Sequence, residues 1–112
     1  MTVFTFYGGE NFTSLKVKGH AMYGEYGSDI VCAAVSASVS LLELSVVEIL
    51  GEKRSEFKLS ESDDDVEITY CDPSDISKDE ADKLRCIKCA FYKYALSLEE
   101  NYKENISIVK RR

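Results

Sequence analysis

The chain of 112 residues has a formal net charge of −6, and its composition is 45% hydrophobic and 30% charged. These values are typical of a single globular domain that buries its own core, so we expect one domain over residues 1–112. The negative charge argues against direct nucleic-acid binding, because affinity for nucleic acid comes largely from Lys and Arg side chains at the phosphates. It suits a basic protein partner, although the same charge also simply keeps a protein in solution.

Two alternating segments open the chain and predict an antiparallel β-hairpin. Apolar and polar side chains alternate in residues 2–7 and again in residues 13–19, which is the pattern of half-buried strands. Gly8 and Gly9 provide a turn between the two segments. Residues 1–7 also lack the charged start of a secretory signal peptide. We therefore expect a cytoplasmic protein whose four cysteines are free thiols.

Residues 19–28 predict a loop that contains both glycine and aromatic residues. Three of the six glycines in the chain and two tyrosines lie in this loop: Gly19, Gly24, Gly27, Tyr23 and Tyr26. Glycine lets a ligand approach the backbone closely, and loops of this kind often close over substrates. An ordinary connecting loop has the same composition about as often, so the pattern alone leaves both interpretations open.

Two long helices and three further strands complete the predicted fold. Ser28 or Asp29 caps a first helix that runs to about residue 50. Glu43 and Glu48 in this helix argue against a membrane span and favour a buried central helix. Strands are predicted over 56–60, 66–71 and 104–109, and a second helix runs from a capping box to about residue 100. The order β-β-α-β-β-α-β predicts an α+β two-layer sandwich, in which two helices pack on one face of a mainly antiparallel sheet.

His20 and Cys32 are the pair with the clearest chemical potential. His20 is the only histidine and ends the second predicted strand, whereas Cys32 lies in the first turn of the first helix. Unpaired N–H groups at a helix start favour a thiolate, and a nearby imidazolium favours it further. The imidazole can then protonate a leaving amine, and backbone N–H groups of the first helical turn or of Gly27 offer a place for an oxyanion. The pair therefore predicts acyl transfer, although a buried packing thiol and an ordinary histidine explain the same residues.

Asp29 and Ser36 each have two interpretations. Asp29 either caps the first helix or orients His20, and the sequence does not decide between these roles. Ser36 lies one helical turn after Cys32, so its hydroxyl either hydrogen-bonds the site or is a small packing group.

Cys86 and Cys89 form a C-x-x-C pair within the second predicted helix. A redox pair of this spacing is expected at the start of a helix that follows a strand. As zinc ligands the two thiols need two further partners, of which Cys71 is one and the other is missing. We therefore expect buried packing thiols here, with no metal and no cofactor.

The residues around the loop resemble the signature of the ribosomal-processing cysteine protease family, Prp. The matching block is Gly19-His20-Ala21, then Gly24-x-x-Gly27-x-Asp29-Ile30-Val31-Cys32-Ala33-Ala34-Val35-Ser36. The resemblance implies a cysteine endopeptidase that removes a short N-terminal extension from a bacterial large-subunit ribosomal protein, a step required for ribosome assembly. It implies His20 as the base and Cys32 as the nucleophile, with Asp29 and Ser36 as supporting residues.

The same resemblance implies a homodimer, a peptide substrate that is a ribosomal protein precursor, and a mobile loop that orders over this substrate. The family's substrates are apolar and aromatic near the cleavage site, which suits Tyr23 and Tyr26 in the loop.

Two other functions remain open from the residues themselves. The first is a non-catalytic ribosome-associated or assembly module in which the thiol is incidental. The second is a redox or zinc protein that uses Cys86 and Cys89.

Overall fold

The computed structural model describes residues 1–25, 29–62 and 65–112. Its helices and strands are β1 (Thr2–Tyr7), β2 (Ser14–Lys18), α1 (Ile30–Leu50), β3 (Glu56–Ser62), β4 (Asp65–Cys71), α2 (Lys78–Asn101) and β5 (Ile106–Arg111). This is the β-β-α-β-β-α-β order predicted from the sequence, and the α+β class is confirmed.

The five strands form one mixed sheet in the order β3-β4-β2-β1-β5. Neighbouring strands are antiparallel except β1 and β5, which are parallel. Phe4 of β1 lies opposite Val17 of β2 and Ile108 of β5. Because side chains alternate between the two faces of a sheet, these residues form one inward-facing row. The parallel pairing brings β5, which follows α2, against the first strand of the chain.

Both helices pack on the face of the sheet that carries Phe4 and Phe6. Phe91 of α2 lies close to both rings, with centroid distances of 6.0 and 6.1 Å. Tyr92 meets the ring of Phe6 edge-on at 4.8 Å. Aromatic pairs of this kind add about 0.5–1.5 kcal/mol beyond the burial of their area. The cluster fixes α2 over β1 and therefore fixes the end of α2 relative to the first strand.

α1 is buried along one face, while Glu43 and Glu48 are exposed. Its inward residues are Val31, Val35, Val39, Leu42, Val46 and Leu50. Ile30, Leu41 and Leu44 are 59%, 67% and 64% exposed, because the sheet and α2 cover only one side of a helix whose apolar residues extend beyond that side. Within the described residues, α1 is the one helix long and apolar enough to cross a membrane, with a mean hydropathy of 2.1. Core helices of soluble proteins meet the same criterion.

A buried charge pair joins the end of β4 to α2. Lys88 is 3% exposed, and its ammonium donates a hydrogen bond of 2.8 Å to Oδ2 of Asp72. The hydroxyl of Tyr70 donates to Oδ1 of the same carboxylate. Burial and this hydrogen bond raise the pKa of Tyr70, so the phenol stays protonated. The three polar groups therefore satisfy one another at one end of the core.

The start of α2 carries the capping box that its sequence predicts. The hydroxyl of Ser77 accepts from the backbone N–H of Glu80, and the Glu80 carboxylate accepts from the N–H of Ser77, both at 3.1 Å. Arg54 donates to the two oxygens of Glu80 at 2.7 and 3.0 Å. The hydrogen bonds from Arg54 and from the backbone of Ser77 lower the pKa of Glu80 to about 2.

Candidate active site

A cavity of about 730 Å3 lies between the start of α1, the segment that follows β2, and the inward face of β2 and β4. Six of the predicted site residues line this cavity: Gly19, His20, Gly24, Asp29, Cys32 and Ser36. The apolar part of the lining includes Val17, Val35, Val66 and Ile68. Tyr26 and Gly27 lie outside the described residues. The fold therefore brings most of the predicted site together at one end of the sheet.

Asp29 is the N-cap of α1 and also the anchor of the preceding segment. Its Oδ1 accepts hydrogen bonds of 2.9 Å from the backbone N–H groups of Val31 and Cys32. Its Oδ2 accepts from the N–H groups of Tyr23 and Gly24 at 2.8 and 3.1 Å. Burial by itself raises the pKa of this carboxyl, but the four backbone hydrogen bonds outweigh it and lower the pKa.

These bonds favour one of the two roles that the sequence left open for Asp29. All of its described hydrogen bonds go to backbone N–H groups, and none goes to His20. Asp29 is therefore a helix cap that also ties the loop to the helix. Because the carboxylate is ionised at neutral pH, it also places a negative charge at the start of the helix that carries Cys32, opposite in effect to the helix dipole.

Three N–H groups in the first turn of α1 are already bonded and do not offer the oxyanion site that the sequence predicts there, whereas the alternative at Gly27 lies outside the described residues. The N–H groups of Val31 and Cys32 donate to the Asp29 side chain, and the N–H of Ala33 donates to the Asp29 carbonyl at 3.0 Å. A carboxylate at the N-cap takes up the same N–H groups that would otherwise face a ligand. The described hydrogen-bond donor to the sulfur of Cys32 lies outside α1.

That donor is the backbone N–H of Ala21, which lies 3.3 Å from Sγ of Cys32. Cys32 is half-buried, whereas Ala21 is fully buried. A hydrogen bond donated to sulfur favours the thiolate over the thiol. The carbonyl of Ala21 accepts a hydrogen bond of 2.9 Å from Nδ2 of Asn105, so this residue is held on both sides.

His20 is half-buried and lines the cavity together with Cys32. Among the described residues, His20 and Cys32 share no hydrogen bond, and the catalytic contact that the sequence predicts is not formed in this arrangement. Separations of this kind are common in active sites without substrate, since catalytic hydrogen bonds often tighten only in the complex. Ser36 is exposed at the edge of the cavity and, in the described part of the chain, has no hydrogen bond to either residue.

Gly19 fixes the position from which His20 leaves β2. Its φ of +96° is in the left-handed region, and a Cβ there would lie 2.4 Å from the carbonyl oxygen of Met1. Its N–H donates to the carbonyl of Val66 at 2.9 Å. The sequence reads this glycine as a source of loop flexibility, but the structure uses it for a close approach between backbones.

The described part of the loop is held by several contacts. Besides the two hydrogen bonds to Asp29, the ring of Tyr23 meets the ring of Tyr102 edge-on at 5.4 Å. Tyr23 itself does not line the cavity. Met22 adopts a φ of +60°, which is unusual for a residue other than glycine, and its side chain is 74% exposed. Residues 20–25 are therefore held to both α1 and the end of α2.

Sequence reasoning missed Ala21, Tyr102 and Asn105 as parts of this site. Ala21 belongs to the recognised motif but has no reactive side chain. Asn105 and Tyr102 carry no local signal, because they reach the site through the turn between α2 and β5, far away in sequence. Only the sheet order, which places β5 beside β1, points to them.

The remaining cysteines lie outside the cavity. Cys71 and Cys86 are exposed and Cys89 is half-buried, so the expectation of buried thiols at the C-x-x-C pair is wrong for Cys86. All four cysteines in the chain are free thiols. Among the described residues, no group of three or more His, Cys, Asp or Glu side chains is placed to hold a metal ion.

A thiol beside a backbone donor at a helix start, with an imidazole in the same cleft, defines the class of cysteine hydrolases. The chain belongs to the cysteine protease Prp family, whose model matches residues 1–107. The resemblance seen in the sequence is thereby confirmed, and the protein is a cysteine protease. No curated protein sequence matches this chain.

Solved structures agree with this assignment. SMU.848 from Streptococcus mutans is 30% identical, with a TM-score of 0.72, and the match covers 98% of this chain and 91% of that one. The essential ribosomal processing protease Prp from S. aureus, with a covalently linked product peptide, is 24% identical with a TM-score of 0.72, covering 99% and 100%. The same protease with a substrate peptide is 22% identical, with a TM-score of 0.66 and the same coverage. At these identities the S. aureus structures show a shared fold.

Proposed function

We propose that this protease removes a short N-terminal extension from a bacterial large-subunit ribosomal protein, with Cys32 as nucleophile and His20 as general acid and base. The main support for these two roles is that His20 and Cys32 line one open cavity. In addition, the N–H of Ala21 donates a hydrogen bond to the sulfur of Cys32. Membership of the Prp family and the description of the S. aureus relative as a ribosomal processing protease support the substrate class.

The proposed reaction proceeds through an acyl-enzyme. The Cys32 thiolate attacks the scissile carbonyl carbon, so a C–S bond forms and the C–N bond breaks. The His20 imidazolium gives its proton to the leaving amine. The neutral imidazole then takes a proton from water, and the resulting hydroxide displaces the thiolate from the thioester. The products are a peptide with a new amino terminus and a carboxylate, and both side chains return to their starting states.

The lining of the cavity supports an extended substrate that is apolar on one side and basic on the other. Val17, Val66 and Ile68 offer an apolar wall on the sheet. The carboxylates of Glu25 and Glu61 line the same cavity, and the whole chain has a net charge of −6. Opposite charges raise the rate of encounter with a basic protein. A ribosomal protein precursor with an apolar extension matches both features.

A homodimer and a cytoplasmic location complete the proposal. The exposed apolar residues of α1, Ile30, Leu41 and Leu44, recur at helical spacing and support association with a second copy. Leu41→Lys combined with Leu44→Lys is expected to give a monomer by light scattering. Lys substitution of Glu43, a neighbouring exposed position on α1, is the matched control. A parent protein that is monomeric at micromolar concentration contradicts the dimer.

The nucleophile is tested with a peptide that carries an aromatic-rich N-terminal extension. Cys32→Ala and His20→Ala are expected to lower kcat by about 1,000-fold or more, because each removes a reacting group. Cys86→Ala is the matched thiol control, since Cys86 is exposed on α2 and is expected to keep full activity. Cleavage retained in Cys32→Ala would exclude the assigned nucleophile. Tight peptide binding without turnover by the parent protein would favour the non-catalytic binding module.

A further inference from the structure

The support of the reactive cysteine extends to the segment between α2 and β5. Cys32 Sγ accepts from the N–H of Ala21, and the carbonyl of the same residue accepts from Nδ2 of Asn105 at 2.9 Å. A carbonyl oxygen only accepts hydrogen bonds, so the carboxamide of Asn105 must present its NH2 group to it. Ala21 is therefore held between the nucleophile on one side and Asn105 on the other.

Asn105 is itself rigidly placed. Its backbone N–H donates to the carbonyl of Tyr102, and its own carbonyl accepts from the N–H of Thr2, both at 2.9 Å. Ile106, the next residue, pairs with Thr2 in the parallel ladder between β5 and β1. The side chain of Asn105 thus starts from a backbone that is fixed on both sides, and it is half-buried.

The other anchors of the loop act further from the sulfur. Asp29 holds the N–H groups of Tyr23 and Gly24, and the Tyr102 ring contacts that of Tyr23. Asn105, in contrast, binds the carbonyl of Ala21, the residue whose N–H donates to the sulfur. If it is lost, the peptide plane that carries the Ala21 carbonyl is free to turn, and the backbone that presents the neighbouring Ala21 N–H to the sulfur is less well fixed. His20, which precedes Ala21 directly, would move as well.

We propose that Asn105 is a positioning residue for the catalytic centre: its carboxamide holds Ala21 so that the Ala21 N–H stays on the Cys32 sulfur. The expected effect of Asn105 on turnover rests on the proposed function, whereas its expected effect on the reactivity of the Cys32 thiol does not. A residue that only supports folding changes the melting temperature. A residue that positions the Ala21 N–H also changes how readily Cys32 ionises.

The test uses a parent protein in which Cys71, Cys86 and Cys89 are replaced by Ser, so that Cys32 is the only thiol. The rate at which iodoacetamide alkylates Cys32 is measured against pH in this parent and in two variants of it, Asn105→Ala and Asn105→Asp. Neither replacement side chain can donate a hydrogen bond to the Ala21 carbonyl. Both are expected to lower the alkylation rate at pH 7 by about 10-fold and to move its midpoint to higher pH. Peptide cleavage is expected to lose about 10-fold in kcat with little change in KM.

The matched controls are Asn101→Ala and Asn101→Asp. Asn101 makes the same kind of bond, from Nδ2 to the carbonyl of Ser97 at 2.8 Å, but on the exposed end of α2. These variants are expected to keep the parent alkylation profile. Unchanged alkylation in both Asn105 variants, measured where circular dichroism shows them folded, would overturn the proposal. If the parent protein cleaves no peptide, the proposed function fails, while the alkylation profiles still decide the role of Asn105.

Discussion

Two carboxylates at opposite ends of β2 accept hydrogen bonds from different kinds of donor and organise different regions of the molecule. Asp29, beyond the end of β2, accepts from four backbone N–H groups in two segments. Asp72, whose N–H donates to the carbonyl of Thr13 just before β2, accepts from the side chains of Lys88 and Tyr70.

The difference lies in what each carboxylate holds. Backbone donors fix the path of the chain, so Asp29 shapes a loop around an open cavity and leaves the nearby side chains His20 and Cys32 available. Side-chain donors fix packing, so Asp72 closes one end of the core and leaves no group for chemistry. We expect changes at Asp72 to alter stability alone, and changes at Asp29 to alter the reactive thiol as well. The following four experiments test this distinction.

Lys88→Met has the largest expected effect. It leaves the Asp72 carboxylate partly buried without its cation, which costs about 3–5 kcal/mol of unfolding free energy. Urea denaturation measures this loss. Lys83→Met is the control, because its pair with Asp79 is exposed on the same helix and contributes less than about 1 kcal/mol. Alkylation of Cys32 in the folded Lys88→Met protein is expected to match the parent, and a clear change there would contradict the distinction.

Gly19→Ala is expected to rank second, at about 2–4 kcal/mol, because a left-handed φ and an overlap with the carbonyl of Met1 add together. Gly51→Ala separates the two causes. Its φ of +87° is equally unfavourable for alanine, but no atom lies within 4 Å of the added carbon. Denaturant unfolding is expected to show a smaller loss, of about 1–3 kcal/mol, for Gly51→Ala. Equal losses of unfolding free energy in the two variants would mean that the backbone of Met1 moves away from residue 19 at little cost.

Asp29→Asn is expected to cost about 1–2 kcal/mol of stability and to slow peptide cleavage by about 10-fold. The amide keeps one oxygen for the N–H groups of α1, but its NH2 then faces the donors Tyr23 and Gly24. Ser77→Ala is the control, because it removes the cap of α2 at a similar cost of about 1 kcal/mol, far from the cavity. Loss of activity in Ser77→Ala, or full activity in Asp29→Asn, would contradict the special role of the loop anchor.

The smallest expected effect is the pH dependence contributed by Glu80. Its pKa falls from 4.5 to about 2 on folding, so its ionised form stabilises the native state. This contribution is complete above pH 4.5 and is lost as the pH falls towards 2. Asp29, whose pKa is lowered from 3.8, adds a loss of the same sign below that value. Glu80→Gln is expected to flatten the acid branch of the stability curve above pH 3, and an unchanged curve would contradict the pairing with Arg54.

The sequence predicts those parts of the fold that depend on local chemistry. The alternation in residues 2–7, the N-cap at Ser28 or Asp29 and the capping box of Ser77 and Glu80 all depend on residues within a few positions, and the structure has a strand, an N-cap at Asp29 and a capping box there. The resemblance around His20 and Cys32 likewise rests on one short block. In each case a nearby pattern is sufficient to specify the structure.

Features that depend on tertiary contacts could not be predicted in this way. Lys88 is buried on α2 because Asp72 lies opposite it. Without such a partner, a lysine in the sequence predicts a side chain exposed to solvent. Cys86 is exposed because it lies on the far side of α2 from Leu84. The contact of Asn105 with the site joins residues that are 84 positions apart.

That last contact has a consequence during translation. The ribosome synthesises His20, Cys32 and the whole of α1 well before it reaches Asn105 and β5. Until β5 pairs with β1, the Ala21 carbonyl lacks its partner, and Cys32 lacks the support that we propose for it. A nascent chain therefore carries Cys32 in an unfinished setting, and the pairing of β5 with β1 completes the catalytic centre that we propose.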